Sequence, residues 1–223
     1  MTKTFKRVFL ITIAVSLINL IASFLFLLKL PDTVPVHFNF DFVCDRVGSK
    51  WNGIFPSIIL LFVAFMFYLS ELKGKNAEKN SKPMTVTLLI TEFIIIAVNW
   101  FFLGLMSSGA DVGDRIKTGY DWIILFMFSF LFIILGNYMP TVRQNKTLGF
   151  KMPWTLKNEK CWNLTHRFGG RLMVIAGLVT LAMTMAAKIF DISTNYIIIV
   201  YVAVILPCML ILPIIYAYSH RND

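Results

Sequence analysis

Six stretches of about 20 mostly apolar residues recur along this chain, at Val8–Leu30, Gly53–Glu71, Met84–Met106, Asp121–Met139, Gly170–Lys188 and Asn195–Ser219. A helix of roughly 20 such residues crosses the hydrocarbon core of a bilayer. The expected fold is therefore an all-α integral membrane protein, a bundle of six transmembrane helices. Composition agrees: 57% of the 223 residues are apolar and Phe alone occurs 21 times, too much for one soluble core. The first stretch follows Lys3, Lys6 and Arg7 as in a signal peptide, but it is long and lacks a small-residue cleavage site. It is expected to stay as a span.

Lys and Arg in short loops are retained on the cytoplasmic side, so the net charge of +9 is first a topological signal. Alternate segments carry Lys3, Lys6, Arg7; Lys73, Lys75, Lys79, Lys82; Arg143, Lys146, Lys151, Lys157, Lys160, Arg167, Arg171; and Arg221. The opposite segments carry only Lys29, Arg46, Lys50, Arg115, Lys117 and Lys188. Both termini are thus expected in the cytoplasm, with loop 31–52 outside and loop 140–170 inside. The basic residues are dispersed and accompany no recognition module, so direct nucleic-acid binding is not expected. Cys44, Cys161 and Cys208 lie in different segments and read as structural thiols, without a disulfide or zinc pattern.

Residues three or four apart share a helix face. Thr12, Ser16, Asn19 and Ser23 make one polar face on the first span, which is expected to point into the bundle and bond to other helices. Thr85, Glu92 and Asn99 line one side of the third span. An ionisable group at that depth is costly unless neutral, paired or hydrated, so Glu92, with Asn99 as its neutral neighbour, reads either as a proton or cation site or gate, or as a protonated side chain bonded to a polar partner on the first or fourth span. Ala176, Thr180 and Thr184 form a small-residue ridge on the fifth span. Pro207 and Pro213 interrupt the sixth and free backbone carbonyls there.

Two loops hold the remaining chemistry. In the outer one, His37, Asn39, Asp41 and Asp45 are the candidates; a single His with scattered oxygens is no specific metal pattern, and a hairpin whose polar side chains fix its turns is the expected use. Neither metal nor other cofactor is expected. The inner stretch Gly136–Gly170 is the densest in Pro, Trp, Asn, His and basic residues. Pro140, Gly149 and Pro153 break it into turns, Thr155 is placed to cap a short helix over Leu156–Leu164, and Gly169-Gly170 to allow a tight turn into the fifth span. Asn145, Trp154, Thr155, Trp162, Thr165, His166 and Arg167 are its candidates for binding or signalling. Under the expected topology His37 and His166 lie on opposite membrane faces, so they share no catalytic site. Known nucleophile, phosphate-loop and metalloprotease motifs are missing, and no enzyme is expected.

Gly136-Asn137-Tyr138, Asn145, Gly149, Pro153-Trp154-Thr155-Leu156, Trp162 and Thr165-His166-Arg167-Phe168-Gly169-Gly170 resemble, in order and spacing, the signature of the SdpI family of bacterial membrane proteins. Pro31-Asp32, Pro35, His37-Phe38-Asn39, Asp45 and Gly48-Ser49-Lys50 are similar to a short uncharacterised domain that often opens these proteins; Phe42 departs from it, where that pattern usually has Gly. The chain is accordingly expected to divide into an N-terminal helical hairpin, 1–71, and an SdpI-like region, 72–223. The resemblance implies a multi-pass protein of the bacterial cell membrane, in contact with membrane lipids, that confers immunity to a secreted antimicrobial peptide toxin of the cannibalism type. It also implies a receptor role in which a cytoplasmic transcriptional repressor is held at the membrane. The alternative, read from Glu92 and the kinked last span, is a proton- or ion-coupled transporter of a small molecule or lipid.

Overall fold

The computed structural model describes residues 2–39, 41, 43–73, 76–113 and 121–222. Lys75, Arg115 and Lys117, used above for topology, and Phe42 lie outside the described residues. In chain order the elements are α1 (Lys3–Leu27), a hairpin of β1 (Thr33–Phe38) and β2 (Cys44–Ser49), a 3-10 turn Lys50–Ile54, α2 (Phe55–Lys73) and α3 (Ala77–Met106). Then come α4 (Asp121–Tyr138), the short α5 (Pro153–Lys157), α6 (Glu159–Ile189), α7 (Thr194–Val200) and α8 (Leu206–Ser219).

Five segments among the described residues are long and apolar enough to cross a membrane: Lys3–Leu27, Lys50–Ser70, Glu78–Met106, Glu159–Ile189 and Asn195–Ser219. A shorter apolar helix covers Leu125–Thr141. The chain is a mostly helical, multi-pass cell-membrane protein. Its burial pattern inverts that of a soluble protein, because lipid and not water is the solvent. On α1 the exposed residues include Leu10, Ile18, Ile21 and Leu25, whereas the predicted polar face of Thr12, Ser16, Asn19 and Ser23 is buried. Polar side chains turned inward find partners that hydrocarbon does not offer.

The contacts divide the chain into two compact units, Thr2–Tyr68 with Leu88–Gly119, and Leu69–Thr87 with Tyr120–Asp223. In the first, Leu27, Val34, Leu103 and Met106 form an apolar core, and the 3-10 turn brings Gly53 against Leu103 and Leu27. Lys50 ties the hairpin down by donating from Nζ to the Leu30 carbonyl (2.9 Å) and pairing with Asp32 (3.1 Å).

In the second unit, α4 and α6 pack at backbone distance. A Cβ on Gly177 would lie 2.6 Å from the Ser129 carbonyl oxygen, so only a glycine permits this approach. Hydroxyls along the contact satisfy themselves within their own helices: Ser129 donates to Leu125 O, Thr180 to Ala176 O and Thr184 to Thr180 O. The expected ridge on α6 thus works as a smooth surface, not as a donor to its neighbour.

Several sequence boundaries move. Thr155 does not cap a helix over Leu156–Leu164. It lies inside α5, and Asn158 caps α6 by accepting from the Cys161 N–H (3.1 Å). Helix α6 therefore starts eleven residues ahead of the apolar window, and Gly169-Gly170 sits within it, not at a turn. Likewise α3 starts at Ala77 and runs through Pro83. In the last span a single π-type turn, Tyr201–Ile205, precedes Pro207, with the Leu206 N–H bonded back to Tyr201 O. A proline supplies no N–H to the preceding turn, and wider bonding absorbs the mismatch.

Candidate functional site

Three polar constellations stand out, and each is built differently. The first is the inner motif, where the loop between α4 and α6 is tied into a lock. Gly149 adopts φ +116°, and a Cβ there would overlap His166 Nε2. Because Gly149 has none, the backbone passes over the imidazole and the Phe150 N–H donates to Nε2 (3.0 Å). Since Nε2 accepts, Nδ1 carries the proton and donates to Trp162 O (2.8 Å). The ring is a neutral, fully used imidazole. Trp162 stacks on it at 3.9 Å between centroids, and its own Nε1 donates to Val142 O (2.8 Å). The Phe150 ring lies where a Cβ on Gly169 would be, edge-on to His166.

Around this lock the other predicted residues serve the backbone. Asn145 Oδ1 accepts from the N–H groups of Thr147 (2.7 Å) and Leu148 (2.8 Å), and its Nδ2 donates to Arg143 O (2.7 Å). Thr155 Oγ1 accepts from the Met152 N–H (2.9 Å) and lies 2.9 Å from Phe150 O. Asn145, Thr155, Trp162 and His166 are all buried. The candidates with capacity left are fewer. Among the described residues, Trp154 Nε1 and Thr165 Oγ1 are buried without a hydrogen-bond partner, and Arg167 is exposed on α6. Trp154 packs edge-on against Tyr218.

The sequence reading missed the clamp behind the lock. Asn80, 2% exposed, holds Arg143 at two points: its Oδ1 accepts from Arg143 N–H (2.7 Å) and its Nδ2 donates to Arg143 O (3.0 Å). Asn76 Nδ2 donates to Gln144 O (3.0 Å), Gln144 Nε2 to Thr155 O (2.8 Å), and Ser70 bonds Thr147. Asn76 stands just ahead of α3, at φ +61°, and Asn80 four residues on in its first turn, amid basic residues. That spacing was the available signal.

The second constellation is the hairpin. Register shifts leave Val36 unpaired on β1 and Asp45 unpaired on β2, on either side of the His37–Arg46 pair. Such bulges re-aim side chains; here His37 Nδ1 meets Asp45 Oδ1 at 2.5 Å. Asn39 Oδ1 accepts from Asp41 N–H (2.9 Å) and Val43 N–H (3.0 Å), fixing the turn. All four predicted residues are exposed on one end of this hairpin. His37 and Asp45 keep 53% and 44% of their side-chain surface.

The third lies among the spans of the first unit. Ser16 on α1 donates to Glu92 Oε1 (2.5 Å), and Asn99 Nδ2 donates to Ser23 (2.8 Å). Between them Asn19 donates to Ser57 (3.0 Å) and accepts from Trp100 Nε1 (2.9 Å), while Ser57 donates to Ser23 (3.0 Å). Glu92 Oε2 and Asn99 Oδ1 are buried without a hydrogen-bond partner among the described residues. Glu92 and Asn99 do not meet each other; each is bonded to a different residue of α1.

Comparison with known proteins places this architecture. Residues 141–217, which hold the lock and α6 to α8, match the family model described as SdpI/YfhL protein family. Residues 14–69, which hold the hairpin between α1 and α2, match a domain of unknown function, DUF1648. A curated relative, the immunity protein SdpI of Bacillus subtilis strain 168, is 23% identical over 206 residues, covering 90% of each chain. No solved structure matches significantly. The chain therefore resembles the SdpI/YfhL family over residues 141–217, behind a match to DUF1648 over residues 14–69.

Proposed function

We propose that this protein gives its cell immunity to a secreted, membrane-active peptide toxin. The observation that carries this reading is the collinear match to the B. subtilis immunity protein, which runs through both the hairpin and the inner motif and not through a shared hydrophobic segment alone. The topology we assign is six spans with both termini cytoplasmic, the hairpin outside and the lock inside; the division at 1–71 and 72–223 follows from it.

Within this reading the two loops have separate work. The exposed His37, Asn39, Asp41 and Asp45 form the surface a toxin meets. Asn145, Thr155, Trp162 and His166 have their hydrogen-bonding capacity taken up inside the protein, so they hold the inner face in shape. Capture of a cytoplasmic repressor is the finer part of the proposal, and co-purification of a repressor from toxin-challenged cells, absent without toxin, tests it.

In a toxin-sensitive cell the wild-type chain is expected to raise the lethal toxin dose, and His37→Ala combined with Asp45→Asn to lower that gain at least tenfold. An exposed pair contributes only about 0–1 kcal/mol to stability, so the purified variant should melt within a few degrees of wild type. Full protection by the variant would remove the pair from toxin contact; no protection by the wild type would overturn immunity itself.

Transport is the second reading, favoured by two buried oxygens on α3 that have no hydrogen-bond partner among the described residues. It requires that Glu92→Gln abolish solute or proton flux in proteoliposomes. If Glu92 is a packing residue, the same substitution leaves flux and toxin protection unchanged and alters only the melting temperature, by the equivalent of about 1 kcal/mol.

A further inference from the structure

Helix α6 is longer than a membrane is thick. Its 31 residues extend about 46 Å at 1.5 Å per residue, against a hydrocarbon core of about 30 Å. Between Arg171 and Lys188 it carries no charged residue, so Arg171 marks the edge of the hydrocarbon and the turns before it lie among headgroups or beyond. Lys160, Arg167 and Arg171 fall within about 40° of one another around the axis at 3.6 residues per turn, and all three are exposed. Among the described residues none of them makes an ion pair.

A second observation fixes the height of this stripe independently. Where α8 ends, Tyr216 stacks on Phe168 (4.3 Å between centroids), the neighbour of Arg167, while Tyr218 packs edge-on against Trp154 of α5. Arg221 lies over the ring of Tyr218, 3.8 Å from its centre. Trp and Tyr collect where apolar tails give way to polar headgroups, and both aromatic pairs stand at the N-terminal end of α6, that of Phe168 next to Arg167.

We propose that Arg167 and Arg171, one helical turn apart on one exposed face, clamp the phosphate of an anionic phospholipid, with Lys160 adding attraction from the next turns. Guanidinium groups bind phosphate oxygens in pairs, and two of them at the hydrocarbon edge, without an acidic partner among the described residues, suit that chemistry. An anionic lipid fits better than a soluble acidic protein because Arg171 stands at the base of the headgroup layer, where acyl chains have direct access.

The test uses the full chain in detergent micelles titrated with phosphatidylglycerol, phosphatidylcholine or inorganic phosphate, with retained lipid counted by native mass spectrometry and melting followed in parallel. Wild type should retain phosphatidylglycerol in preference to phosphatidylcholine, and millimolar inorganic phosphate should not displace it. Arg167→Gln with Arg171→Gln should weaken retention about thirtyfold, taking a juxtamembrane cation at its usual worth. Lys3→Gln, Lys6→Gln and Arg7→Gln together should leave it unchanged. If the glutamine variant melts lower without lipid, Arg167→Lys with Arg171→Lys must recover part of the binding. Equal retention of both lipids, undiminished retention by the glutamine variant, displacement by inorganic phosphate, or preferential binding of an acidic peptide in phosphatidylcholine micelles would each overturn the site.

Discussion

Gly170→Val is expected to cost about 3 kcal/mol of stability, equivalent to a fall of roughly 10 °C in melting temperature for a chain of this size, and to deplete folded protein from the membrane. At this position the added atom meets backbone, which cannot step aside. A Cβ on Gly170 would stand 2.7 Å from the Gly136 carbonyl oxygen, and one on Gly136 2.6 Å from that of Gly170. Helices α4 and α6 would have to separate, opening contacts along a seam that also includes Gly177 and Ser129. Gly136→Val should do the same, and the double variant should cost less than the sum, since one displacement relieves both clashes. Melting of the purified variants in detergent checks this; a Gly170→Val protein as stable as wild type would mean the two helices do not touch at these glycines.

Trp162→Ala is expected to cost about 3–5 kcal/mol, and His166→Ala about 2–4 kcal/mol, counting the Phe150 N–H left without an acceptor and the hole beside Trp162. The two residues stack on each other and are joined by the Nδ1 to Trp162 O bond, so their losses should overlap by at least about 1 kcal/mol in a double-mutant cycle. The informative comparison is protection per folded molecule. If His166 serves as packing, toxin resistance should fall only in proportion to the amount of folded protein. Loss of resistance at undiminished stability would instead give the imidazole a direct part in signalling.

Much of the architecture could be read from residue order. The apolar windows located the helices because a continuous apolar run of about 20 residues satisfies its own backbone in lipid as a helix, and the polar face Thr12–Ser16–Asn19–Ser23 showed which side of α1 turns inward. What failed was the reading of glycine and threonine in the inner stretch. Gly169-Gly170 looks like a turn when only its two neighbours are considered; in the folded chain its smallness is used against Phe150 and Gly136, nineteen and thirty-four residues earlier in sequence. Thr155 has the right chemistry for a cap, but Asn158 also has it and stands where Pro153 no longer dictates the backbone. Of the candidate residues, those on the hairpin were legible as a group because His37, Asn39, Asp41 and Asp45 all fall within nine consecutive residues. The partners of Glu92 and Asn99 were not, since no spacing along α3 says which serine of α1 will face it.

The clamp at Asn76 and Asn80 also bears on the order in which the protein is completed. Both asparagines are synthesised more than sixty residues before Arg143 and Gln144, which they hold, and that segment is itself fixed only once Trp162 and His166 have been made. The start of α3 therefore leaves the ribosome with its fastenings still missing. Insertion of the early spans comes first, and the inner face closes last, when the beginning of α6 arrives to complete it.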